Sequence, residues 1–196
     1  MRYGPEHKQA TRLRILAAAE SLFRQHGFEG ASVERVMRAA GLTVGGFYAH
    51  FTSKEALLAE ALRAFLQKRQ ERWTEGIEAL RGKEWLSHFT RRYLNRQLCD
   101  DPGEGCLMPS LLSELTRASP EIQATFAEGL DALVRKAQAH LEDATGVTAR
   151  QKAIASIALC FGAMTLARAT ASHALSNEVL EAAQALLLSK EDVSGQ

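Results

Sequence analysis

The sequence predicts an all-α protein, and three observations predict it. Only four prolines interrupt 196 residues. Apolar side chains recur at three- and four-residue spacing along most of the chain, which places them on one face of a helix. No run of strict apolar–polar alternation is long enough to nominate a strand. About nine helices are expected, the three N-terminal ones forming a head and the rest a larger body.

The first helix is expected from about His7 to Gln25, with Ile15, Leu16, Ala19, Leu22 and Phe23 as its apolar stripe and Gly27 as its end. Ser32 is a good N-cap for a short second helix with Val33, Val36, Met37 and Ala40 turned inward, closed by Gly41. Thr43 opens a third short helix running to about His50. Thr52 and Glu55 have capping-box spacing and predict a long amphipathic helix to about Leu80. A helix from Glu84 to Leu98 follows Gly82, and the run from Asp100 to Gly105 reads as a loop. The next helix is expected from near Cys106 to Arg117. Ser119-Pro120 then launches one to about Asp143, with proline at the first helical position. Thr148 and Gln151 form a second capping box for a helix to about Ser172. A last helix runs from Asn177 to Ser189, before a polar tail from Lys190.

The formal charge of +1 conceals a gradient. Residues 1–54 carry eight basic and four acidic residues, and residues 55–196 carry 16 and 19. A cationic first quarter on a mildly acidic remainder suggests two parts with different partners, divided here as 1–54 and 55–196. Three cysteines (Cys99, Cys106, Cys160) do not make a disulfide framework. No apolar run has the length of a membrane span and the N-terminus lacks a signal-peptide core, so a cytoplasmic protein without membrane association is expected. No nucleophile–base motif, phosphate loop or metal-ligand spacing stands out, so neither an enzyme nor a cofactor is expected.

Two short helices meeting at Ala40-Gly41-Leu42, preceded by a longer one, make a helix-turn-helix candidate. Only glycine reaches positive φ at such a turn at little cost. A reading helix in a major groove needs small or polar residues in its first turn, and Thr43, Val44, Gly45 and Gly46 supply them. Two glycines let a backbone approach DNA, at about 1 kcal/mol of helix stability each relative to alanine. With no Arg, Asn or Gln in this turn, direct base readout is expected to be sparse.

The run Gly27-Phe28, Ser32-Val33 and Ala40-Gly41-Leu42-Thr43-Val44-Gly45-Gly46-Phe47-Tyr48-Ala49-His50-Phe51-Thr52-Ser53-Lys54-Glu55-Ala56-Leu57 closely resembles the tetracycline-repressor (TetR) family of bacterial transcriptional regulators. The likeness is dense from Thr11 to Leu62. It implies a homodimer holding a palindromic double-stranded DNA operator, with a body that binds a small-molecule effector. It also implies that Tyr48, His50 and Lys54 grip phosphates. Ser32 and Arg35 are further DNA candidates, with Arg38, Lys8, Arg12 and Arg14 behind them. Lys54 sits in a helix's first turn, where free amides also favour phosphate.

The resemblance makes the last two helices the dimerisation pair, with Ala155, Leu159, Gly162, Leu166 and Ala169 together with Val179, Leu180, Ala183, Leu186 and Leu187 as half of a four-helix interface. The middle helices carry the aromatic load that an effector pocket would use: Trp73, Trp85, Phe89, Tyr93, Phe126 and Phe161, with Met108 and the polar Arg168. His173 is a further polar group there. Such a lining favours an apolar or aromatic ligand. Cys106, before a predicted helix start, has the setting of a lowered thiol pKa and is a candidate thiol sensor, with Cys99 as a weaker partner. The overall expectation is a repressor released by effector or thiol modification. The rivals are a helix-turn-helix protein without effector and a helical enzyme.

Overall fold

The structure is a computed structural model and describes residues 5–101, 106–144, 146–170 and 172–189. Residues 102–105 of the expected acidic loop, the tail from Lys190, Arg2 and the side chain of Trp73 lie outside the described residues. Among those described there are nine α-helices, one 3-10 helix and no strand, only one isolated bridge between Ala144 and Val147. The helices are α1 (Pro5–His26), α2 (Val33–Ala39), the 3-10 helix (Val44–Ala49), α3 (Lys54–Thr74), α4 (Gly82–Tyr93), α5 (Arg96–Asp100), α6 (Met108–Leu115), α7 (Pro120–Gln138), α8 (Ala149–Ala169) and α9 (His173–Leu188). The chain divides into two compact units, residues 1–69 with 102–131 and residues 70–101 with 132–196.

The first unit is built on the stripe of α1. Ile15, Ala19 and Phe23 are fully buried, as are Val36 and Met37 of α2, Phe47 of the 3-10 helix and Leu57 and Leu62 of α3. Phe47 stacks on Phe51 at 5.8 Å, and Phe23 tilts against Phe28 at 5.8 Å. Gly41 takes φ +67°, as the turn requires. Arg14 Nη2 donates to the Ala40 carbonyl at 2.6 Å beside it. The α6 helix seats on the end of α1, where Ser110 Oγ donates to the Arg24 carbonyl at 2.6 Å. The Glu114 carboxylate accepts the Phe28 and Glu29 amides at 2.7 and 3.1 Å. Gly27, at φ +70°, turns the chain under that carboxylate, and a Cβ there would meet Glu114 Oε1 at 2.9 Å.

In the second unit Trp85 lies between Phe89 and His140, stacked at 4.9 Å on each. Gly82 N–H donates to the His140 carbonyl at 2.7 Å. Tyr93 packs on Phe161 at 5.8 Å. The α8 helix has a window of mean hydropathy 1.4, apolar enough by length and composition to cross a membrane. Its inner side, with Ala153, Ile157, Cys160 and Met164, is instead core.

Several boundaries differ from those the sequence predicts. Residues 44–49 form a 3-10 rather than an α-helix. Ser53, not Thr52, caps α3, accepting the Ala56 amide at 3.1 Å. That helix stops at Thr74 because the chain turns there to bury Ile77. The single helix expected over 84–98 breaks at Leu94 (ψ 77°), and Asn95 caps α5, accepting the Leu98 amide at 2.9 Å. Asp100, expected in the loop, closes α5. The α7 helix ends at Gln138 because His140 is held by Trp85 and Gly82. Ser172 rather than Asn177 opens the last helix, accepting the Leu175 amide at 3.4 Å. The Thr148–Gln151 capping box is present as expected.

The cap assignment has a direct consequence. Ser53→Ala should destabilise the protein by about 1 kcal/mol in urea unfolding, whereas Thr52→Ala should leave stability within about 0.5 kcal/mol. Equal effects of the two would contradict it.

Candidate nucleic-acid interface

The surface of interest is built by the turn at Gly41, which delivers Thr43 and the 3-10 helix to solvent. Phe47 is buried completely, so this helix is anchored through one ring. Around that anchor Thr43 and Gly45 are exposed, Val44 is 45% exposed and Tyr48 is 72% exposed, its ring edge-on to Phe47 at 5.3 Å. A Cβ added at Gly45 would meet nothing within 4 Å, and one at Gly46 only the Met37 methyl at 3.7 Å. Thr43 makes no side-chain cap bond. A wide ligand can therefore come close to this backbone.

Ser32 caps α2, accepting the Arg35 amide at 3.2 Å, which leaves its hydroxyl proton able to donate outward. Arg35 is exposed and donates to the Gly30 carbonyl at 2.5 Å. Lys54, in the first turn of α3, holds its Nζ 4.1 Å over the Phe28 ring. All nine predicted DNA-contact positions thus fall in the first unit, on or beside α2, the 3-10 helix and the start of α3.

Other cations are turned to internal work. Arg12 lies over the Phe51 ring at 4.2 Å, its Nε donates to Glu60 at 3.0 Å, and its Nη1 reaches the His50 carbonyl. Arg14 holds the Ala40 carbonyl and Arg38 pairs with Glu34. The guanidinium groups of Arg12 and Arg14 thus tether the head's own turns.

His50 is half-buried, and its Nδ1 has no hydrogen-bond partner among the described residues. Burial pushes the imidazole below its ordinary pKa of 6.5, and Lys8, Arg12 and His7 push the same way. The ring is neutral at pH 7, and a phosphate brought near would restore its basicity.

The predicted effector residues divide between the units. Trp85, Phe89, Tyr93, Phe161 and Arg168 are in the second unit, Met108 and Phe126 in the first. Arg168 Nη2 donates to the Leu98 carbonyl at 2.5 Å, while Met108 is fully buried. Phe126 lines a recess of about 250 Å³ with Leu112, Leu115 and Gln123. A cleft of about 600 Å³ in the second unit is lined by Leu86, Leu141, Val147, Ala155, Leu186 and others, with none of those predicted residues. Cys106 is 2% exposed and its Sγ accepts the Met108 amide at 3.4 Å, while Cys99 lies 3.9 Å from Ser176 Oγ.

Residues 15–61 match the model of the bacterial regulatory proteins of the tetR family. A TetR transcriptional regulator from Chloroflexus aurantiacus superposes with TM-score 0.74 at 27% identity, covering 93% of this chain and 94% of that one. This N-terminal segment belongs to the TetR family. Among curated relatives, the HTH-type transcriptional regulator UidR of Escherichia coli K12 is 33% identical over 78 residues, 40% of each chain. The transcriptional repressor NemR of the same strain is 26% identical over 135 residues, 68% of each. The reduced form of E. coli NemR superposes with TM-score 0.76 at 25% identity, covering 91% of this chain and 95% of that one. The TetR match thus falls on the segment that carries the interface, and UidR is matched over two fifths of its length.

Within this TetR-like segment the His50 environment predicts a pH effect with a definite sign. The unfolded chain takes up the proton first as pH falls, so stability is full above pH 6.5 and declines from there to the folded-state pKa, then levels. Urea unfolding between about pH 8 and pH 5 should show that decline, reduced in His50→Gln. An identical pH profile for wild type and variant would remove the assignment.

Proposed function

We propose that this protein is a dimeric, DNA-binding transcriptional regulator, a repressor acting in the cytoplasm on a palindromic operator. The observation that carries the reading is the exposed 3-10 segment, anchored by Phe47 and flanked by Tyr48, His50, Lys54, Ser32 and Arg35. In this reading Thr43, Val44, Gly45 and Gly46 lie against the major groove, while the other five hold phosphates. The reading keeps 1–54 as the DNA-binding part and 55–196 as the effector and dimer part. Relatives that carry the name of regulators and repressors support it over a helical enzyme.

The dimer reading rests on α8 and α9. Ile154, Ala158, Gly162 and Leu166 stand four residues apart along α8 and are all exposed. Leu166 is 61% and Ile154 46% exposed, and Leu175 and Leu186 of α9 are 49% and 66% exposed. A Cβ at Gly162 would meet nothing within 4 Å. This is a large–small–small–large row, the shape that lets another helix approach closely. It differs in part from the row expected from sequence, since Leu180 and Ala183 are buried in their own unit. Gly162→Trp should therefore leave a folded protein that sediments as a 21.5 kDa monomer; a dimer unaffected by the indole would place the interface elsewhere.

Release from DNA in this proposal follows an effector or a thiol modification. The aromatic side chains around Tyr93 and Phe161, with Arg168, support an apolar effector. Cys106 supports the thiol route through its place at the start of α6, and its burial means that α6 must open before a reagent reaches the sulfur. A ligand shifts the protein only by its preference for one state over another.

The test is selection of bound duplexes from random DNA, followed by salt titration. With two to four cationic contacts per head, log K against log[salt] for the dimer should slope at about −4 to −7. Lys54→Ala should weaken binding and make the slope shallower by about 2 for the dimer. A flat salt response, or an unchanged one in the variant, overturns the reading.

A further inference from the structure

We infer that the first unit holds a binding site for a small amphiphilic cation, placed where its charge competes for the carboxylate that positions the DNA-binding turn. The inference rests on the regulator reading for its consequence, though not for the site itself. A cavity of about 330 Å³ lies between the α1–α2 turn, the start of α3, α6 and the start of α7. Its floor is apolar, with Leu58, Leu111, Leu115 and Ile122 each at most 5% exposed. Its rim carries three carboxylates, Glu29, Glu55 and Glu114, against one cation, Arg117. The wall between floor and rim is Phe28, whose ring already accepts the Lys54 ammonium at 4.1 Å.

Each feature selects against an alternative ligand. A purely apolar molecule would bury the rim carboxylates without compensation. An anion would meet three carboxylates against the two cations Arg117 and Lys54, a net charge of its own sign. A cation with a short alkyl or aryl tail places the tail on the leucines and the charge among carboxylates and beside an aromatic ring, where a quaternary ammonium is favoured. The volume suits a molecule of small-ligand size. None of the aromatic residues proposed from the sequence for an effector lines this site.

The consequence follows from Glu114. Its two oxygens hold the Phe28 and Glu29 amides, and with them the turn from which α2 emerges. A cation in the cavity draws the same carboxylate, so occupancy and the DNA-competent position of that turn are linked. By reciprocity DNA then weakens the cation as much as the cation weakens DNA.

Calorimetry of the full-length protein without DNA decides the site, with octyltrimethylammonium as probe and octanol and octyl sulfate as the neutral and anionic comparisons. The cation should bind at least about tenfold more tightly than the alcohol, and octyl sulfate should not bind. Ala118→Phe, which fills the cavity, should abolish binding, and Glu55→Gln should weaken it severalfold while both variants keep the wild-type circular dichroism. Equal binding of cation and alcohol, or undiminished binding in Ala118→Phe, overturns the site. On selected DNA, saturating cation should lower affinity for wild type and leave Ala118→Phe unaffected; release of both alike, or of neither, overturns the coupling. Calorimetric binding in a protein that selects no DNA would keep the site and overturn the regulator reading instead.

Discussion

A carboxylate holding two backbone amides organises the first unit. The turn after α1 presents the Phe28 and Glu29 N–H groups with no helix to receive them, and Glu114, more than eighty residues later, accepts both. Gly27 belongs to the same arrangement, because its positive φ and missing Cβ admit the carboxylate. Phe28, thus positioned, packs against Phe23 and supports the Lys54 ammonium. One interaction therefore sets the exit of α1, the entry to α2 and the placement of a cation in the proposed phosphate-binding set. Hydrogen bonds to an ionised group are worth roughly 1.5–3 kcal/mol each, against about 1 for neutral ones.

The cationic excess of residues 1–54 is not the same thing as the charge offered to a partner. Arg12, Arg14 and Arg38 are engaged with Glu60, the Ala40 carbonyl and Glu34. Arg24 lies near Glu20, a carboxylate only 6% exposed, which Lys68 also approaches at 3.4 Å. The guanidinium group suits such work, since its fork holds a carbonyl and a carboxylate together. What remains for DNA is a short row of mixed character: a hydroxyl, the exposed Arg35, an amphipathic phenol, an imidazole held neutral and a lysine over a ring. Affinity built on so few charges is modest per head, which fits a protein that would use two heads at once.

The helical class, the order of elements and the helix-turn-helix were legible in the sequence because each depends on local periodicity, caps and turn chemistry. Ser32, Gly41 and the Thr148–Gln151 box act as their residue types require. The misplaced boundaries have a common cause in packing between distant segments. His140 ends α7 early because Trp85 and Gly82 hold it, and Ile77 turns the chain out of α3. The Glu114 clamp and the roles of Arg12 and Arg14 were not legible at all, since nothing local to Glu114 names its partners. The one available signal was Gly27-Phe28, a glycine ending a helix just before an aromatic residue.

The size of the clamp also bears on how this fold could switch. Allosteric coupling between two sites is typically about 1–3 kcal/mol, a five- to 150-fold change in affinity. Losing or weakening one of Glu114's charge-assisted bonds is an effect of that size. No large rearrangement is then needed to move the head between states; the turn after α1 has to loosen by one hydrogen bond. Because α6 starts beside Cys106 and carries both Ser110 and Glu114, the proposed thiol chemistry and the proposed cation site would converge on one helix of eight residues. A helix that short is held by its tertiary contacts rather than by its own propensity, so a small perturbation of those contacts can displace it.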